Sequence, residues 1–132
     1  MDTERMKLRV ARPTRSLAQV VRFYQEGLGF EILGGFEDHA GFDGVMLGHR
    51  GAPYHLEFTV ERGHAAPSAP TEENLLVFYV PERAVWEAWV RRMQTAGFSP
   101  VRSRNPYWDV HGKTFEDSDG YRVVLYQGAW TL

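Results

Sequence analysis

Polar and hydrophobic positions fall into short blocks whose periods name their elements. Lys7 to Ala11 alternates charged and apolar residues, the period of a half-buried strand, and Pro13 stops it from continuing as a central strand. Ser16 then opens a helix. Ser16-x-x-Gln19 has capping-box spacing, and Leu17, Val20, Tyr24 and Leu28 form an apolar stripe at steps of three and four that ends near Gly29. The pattern predicts a helix over residues 16–28. After it, Phe30 to Gly35, Val45 to Gly48 and His55 to Val60 are short apolar or alternating runs separated by Gly, Asp and Pro, which predicts three strands. The first half reads β-α-β-β-β.

The second half reads the same way. Leu75 to Val80 is a β-rich run, Pro81 and Glu82 suit a helix's first turn, and Val85, Trp89, Met93 and Ala96 form a buried stripe before Gly97. Phe98 to Val101, Lys113 to Glu116 and Tyr121 to Tyr126 predict three more strands, the last two joined by the hairpin turn Asp117-Ser118-Asp119-Gly120. Gly29-Phe30 recurs as Gly97-Phe98, and Gly44 recurs as Gly112 at the same separation. The chain is therefore expected to be one domain, 1–132, of two βαβββ modules, 6–61 and 74–128. Residues 62–73, with two prolines and little bulk, are expected to form an exposed linker. The fold class is α+β, a concave mixed sheet with helices outside and a cleft between the modules, its loops at 36–44 and 102–111.

Strand alternation assigns faces. Leu56, Phe58 and Val60 should pack on a helix, leaving His55, Glu57 and Thr59 on the other side. Leu8 and Val10 should likewise face the helix and Arg9 the opposite way, so that Arg9 and Glu57 meet. Such a pair either contacts a ligand or simply ties the first strand to the fourth.

Composition narrows the class. With 132 residues, 43% of them apolar, the chain can bury a substantial core without staples. It has no cysteine, hence no thiol catalysis and no thiolate metal site. Fifteen basic against seventeen acidic residues, in no long block of one sign, disfavour nucleic acid as a partner. No apolar run approaches the ~20 residues of a bilayer span, and Met1 to Lys7 lacks the apolar stretch of a secretory signal. A cytoplasmic protein without membrane contact is expected.

The β-α-β-β-β duplication, Ser16-Leu17 leading to Phe23-Tyr24, Gly27-Leu28-Gly29-Phe30 and Asp117-Ser118-Asp119-Gly120-Tyr121 together resemble the vicinal oxygen chelate superfamily over residues 7–127. That superfamily includes glyoxalase I, extradiol dioxygenases, and fosfomycin- and bleomycin-resistance proteins. Ser118 stands where the family usually has Pro, and Ser16 where it usually has Asp. The resemblance implies homodimerisation and, in metal enzymes, one His, Gln or Glu ligand on each of four strands. Carried over by register, those positions hold Arg9, Glu57, Leu75 and Val124, of which only Glu57 can bind a metal. No cofactor is therefore expected. Arg9 beside Glu57 places a fixed positive charge where the ion would sit.

His55 points the same way as Glu57 and is a second metal donor by type, with His111 as the one candidate from the other half. His39, His49 and His64 read as loop or turn residues. Tyr79, Tyr107, Trp108 and Tyr126 suit an apolar or aromatic small molecule, with Arg9 and Arg122 available to an anionic group. The same rings also serve as packing, as do Trp86 and Trp89. Three readings follow: a metal-free small-molecule-binding protein of the bleomycin-resistance type; a glyoxalase-type lyase or dioxygenase-like enzyme with an unconventional divalent metal site on Glu57 and His55; and an interaction module that keeps only the fold.

Overall fold

Ser16 caps the first helix, its hydroxyl accepting a hydrogen bond from the Gln19 N–H at 3.2 Å. The computed structural model describes residues 5–131 and divides into two compact units, one comprising the chain up to Gln25 with Gly29–Pro67, the other Glu26–Leu28 with the chain from Ser68 onward. In the first unit β1 (Leu8–Pro13) is followed by α1 (Leu17–Val21), which continues as a π-helical segment over Arg22–Gly27. Then come β2 (Glu31–His39), β3 (Phe42–Gly48) and β4 (Tyr54–Glu61). The sheet order is β1-β4-β3-β2, with β1 parallel to β4 and the other pairs antiparallel. Pro13 lies at the end of an edge strand, where its missing N–H costs no ladder bond.

One face of this sheet is dry. Val45, Leu47, Leu56 and Phe58 are buried with Val20, Phe23 and Tyr24 of the helical segment, the Tyr24 and Phe58 rings 4.9 Å apart. Their neighbours by alternation, Met46, His55, Glu57 and Thr59, are only half-buried. Leu8 departs from expectation: at the start of an edge strand it is 61% exposed. The expected loop 36–44 is mostly strand. β2 runs to His39 and turns through Ala40 and Gly41 into β3, with Asp38 and Ala40 at positive φ and Asp43 Oδ1 accepting from the Asp38 N–H. His39 is therefore a strand residue.

The second unit has β5 (Leu75–Val80), α2 (Arg83–Thr95), α3 (Tyr107–Val110), β6 (Gly112–Glu116) and β7 (Arg122–Gln127). Its sheet, β5-β7-β6, pairs β5 parallel and β6 antiparallel to β7. Phe115, Val123, Leu125 and Met93 of α2 are fully buried, and the Trp86 indole N–H donates to the Leu125 carbonyl at 2.8 Å. The stripe of α2 is thus Trp86, Val90 and Met93, while Val85 is 40% exposed. Phe98–Val101 does not form a strand; a single bridge from Val101 to Thr114 remains. Pro100 offers no N–H to a ladder, and the chain after it leaves the sheet to build α3 inside the expected loop 102–111. The turn at Asp117–Gly120 forms as expected, Asp117 Oδ1 accepting from Asp119 N and Tyr121 N, with Gly120 at φ +89°.

Both repeated Gly-Phe pairs end a helix. Gly29 and Gly97 have positive φ, and the N–H groups of Phe30 and Phe98 return to carbonyls of the last turn, Tyr24 and Met93. Gly44 and Gly112 occupy matching ladder places, opposite Thr59 and Tyr126. A Cβ on Gly44 would collide with the Phe36 ring, and one on Gly112 with the Trp108 carbonyl. Residues 62–73 are more tied down than expected: Ala66 is buried and accepts from Arg15 Nε, and Ala69 N–H donates to the Asp119 carbonyl.

Candidate functional site

Register puts Arg9 of β1 beside His55 of β4, and both on the half-buried face with Glu57. The side chains meet as the alternation required. Arg9 Nη1 donates to Glu57 Oε2 at 3.1 Å, and Arg9 Nε donates to His55 Nε2 at 2.8 Å. Accepting at Nε2 requires a neutral imidazole with its proton on Nδ1. The pair is not buried as a whole: the Arg9 side chain is 47% exposed and Glu57 15%. Two of the five guanidinium N–H groups are used, and the other three have no partner among the described residues. Glu57 Oε1 likewise accepts nothing there. A cation with open donors and a carboxylate oxygen thus lie on an open strand face. A cavity of about 590 Å³ in the same unit lies by the β2–β3 hairpin and includes none of the three.

The second unit gathers rings. Leu75, Val77 and Tyr79 share a sheet face with Arg122, Val124 and Tyr126. Tyr126 is the hub: its ring centroid is 5.5 Å from Tyr79, 6.0 Å from Tyr107, 5.7 Å from Trp108 and 6.2 Å from His111. The sheet places Tyr79 and Tyr126, and α3 places the others, held by Asn105 Oδ1 accepting from the Tyr107 N–H. Hydrogen bonding to Tyr107, then desolvation, pushes the Tyr126 phenol above its ordinary range. Tyr107 remains 58% exposed, so the cluster presents aromatic surface to solvent.

Arg122 is the most enclosed of the expected ligand-binding cations. Its side chain is 9% exposed, and Nε, Nη1 and Nη2 donate to Glu116 Oε1, the Arg102 carbonyl and Glu72 Oε2. It is a nearly buried strut with three of its five N–H groups engaged. Glu72 and Glu116, which hold it, gave no sequence signal because neither is near Arg122 in a recognisable motif.

The four positions where the resemblance would put metal ligands do not fit a divalent ion. Arg9 is itself a cation, Glu57 already receives its guanidinium, and Leu75 and Val124 have no lone pair to offer; neighbouring His55 has in turn engaged Nε2 with Arg9. Among the described residues no group of three or more His, Cys, Asp or Glu side chains converges to hold a metal. Nor is any described helix long and apolar enough to cross a membrane.

Comparison with known proteins supplies the family. Residues 8–59 match the YycE-like N-terminal domain and residues 73–127 the YycE-like C-terminal domain. An uncharacterized protein, YycE, of Bacillus subtilis (strain 168) is 45% identical over 119 residues, 90% of this chain and 86% of that protein. The crystal structure of Bacillus subtilis YycE superposes with a TM-score of 0.86 at 42% identity, covering 96% of this chain and 91% of that one. More distant structures share the fold: glyoxalase I of Leishmania major (TM-score 0.72, 20% identity, 94% and 87% covered) and TnmS3, an antibiotic binding protein from Streptomyces sp. CB03234 (0.65, 20%, 93% and 95%). The repeated βαβββ pattern, its paired helix-ending glycines and these matches place the chain in the YycE-like family, with a fold shared by glyoxalase I.

Proposed function

We propose that the protein binds a small molecule without a metal, using Arg9 as the resident cation of its first unit. One observation carries this reading: Arg9 is held on Glu57 and His55, half-exposed, with three N–H donors that have no partner among the described residues. A guanidinium fixed in this way is prepared to take a carboxylate, phosphate or enolic oxygen through parallel hydrogen bonds, at little further entropic cost. The exposed rings of Tyr79 and Tyr107, packed on half-buried Trp108 and Tyr126, add a second surface suited to aromatic or apolar groups. A metal-based lyase or dioxygenase reading is disfavoured by the engaged donors on Glu57 and His55.

A thermal-shift screen tests it, with aromatic carboxylates, phosphorylated metabolites and antibiotics, the last because TnmS3, an antibiotic binding protein, shares the fold. A ligand at 100 times its Kd adds about 2.7 kcal/mol. The expected result is a stabilising compound whose effect disappears in Arg9→Met/Glu57→Leu while that variant still unfolds cooperatively. No stabilisation by any compound, or an effect unchanged in the double variant, overturns the reading.

A further inference from the structure

The internal repeat duplicates a cavity as well as a fold. In the first unit the 590 Å³ cavity lies by the start of α1 and the start of β3, with Leu17, Asp43, Gly44 and Arg62 in its lining. In the second unit a cavity of about 240 Å³ takes the matching place, by the start of α2 and of β6, with Trp86, Lys113 and Gly112 in its lining. Gly44 lines the first cavity, and Gly112, its equivalent in the other ladder, lines the second. Their charges differ in kind. The first cavity carries more acid than base: its lining has Glu37 and Asp43 against Arg62, which donates to Asp43 at 2.9 and 3.1 Å, lies 3.4 Å from Asp38, and holds the Asp43 carboxyl below the usual carboxylate range.

The second cavity has two cations in its lining against one acid. Lys113 is exposed and has no partner among the described residues, and Arg83 is engaged by Glu87 only through Nε. The one acid in the lining, Asp109, has both oxygens on the Ser103 N–H at 3.2 Å. Trp86 has satisfied its indole N–H internally, so what it offers the cavity is apolar ring surface, extended by Val110, which is largely exposed. Two cations beside an indole, in a space smaller than drug-sized pockets, suit a compact anion with a planar apolar body. We propose that this pocket is a second binding site, for a small aromatic carboxylate held by Arg83 and Lys113 against Trp86. It does not involve Arg9 or Glu57.

Titration of the isotope-labelled full chain with benzoate, followed by amide and indole NMR signals, tests the assignment. The expected result is saturable movement of Gly112, Lys113 and the Trp86 indole signals, no saturable movement with uncharged benzamide, and at least a tenfold weaker benzoate affinity in Arg83→Gln/Lys113→Gln. Both substituted residues are exposed, so the variant keeps its fold, which its spectrum shows directly. Signals of Arg9, His55 and Glu57 in the same spectra report the other site separately. Absence of saturable movement at the pocket, equal binding of benzamide, or unchanged affinity in the double variant overturns the proposal.

Discussion

Arg9 and Glu57 are unequal partners, and the inequality predicts how each substitution behaves. Glu57 is the more buried, so Arg9→Met strands a mostly buried carboxylate, whereas Glu57→Gln leaves a half-exposed guanidinium that water can solvate. Arg9→Met is expected to cost about 1–3 kcal/mol and Glu57→Gln less than about 1 kcal/mol, measured by urea unfolding. Equal costs would contradict this account. Alternation alone was enough to bring Arg9 and Glu57 together on paper, because strand period fixes the face of a side chain. It did not show that His55 spends Nε2 on Arg9, or that Arg122 is consumed by Glu72 and Glu116. Those bonds depend on side-chain reach, which periodicity does not encode.

At the level of elements, features with local chemistry were legible. The Ser16 cap, both glycine-ended helices and the Asp117–Gly120 turn are each set by residues within a few positions of one another. What was not legible needed partners. Phe98–Val101 has strand-forming residues but Pro100 among them, and only one bridge survives. Conversely, the charged run Glu37-Asp38-His39 reads as loop yet belongs largely to a strand closed by the Asp43–Arg62 pair. Gly112 links the two scales. A methyl group there meets the Trp108 carbonyl at 2.5 Å, a backbone atom that cannot rotate away, so Gly112→Ala must displace α3. The expected outcome is a loss of about 1–3 kcal/mol together with altered near-UV circular dichroism from the Tyr107, Trp108 and Tyr126 cluster. Retention of both signals would show that α3 is not held by this contact.

For the whole molecule, the duplication has kept ladder positions and helix endings while the side chains at equivalent places have diverged. Arg9, His55 and Glu57 in the first unit correspond to Leu75, Arg122 and Val124 in the second, by their matching ladders. The Arg9, His55 and Glu57 cluster of one sheet thus has no polar counterpart at Leu75 and Val124 of the other. Membership of the YycE-like family accounts for the fold, and in the proposed function Arg9 supplies the fixed positive charge of the first unit's site. The most direct measurement is elemental analysis of the chain purified without chelator and then offered each of zinc, nickel, manganese and iron(II). The account predicts far less than one ion per chain and no metal-dependent change in melting temperature; one tightly held divalent ion per chain, lost on Glu57→Gln, would contradict it.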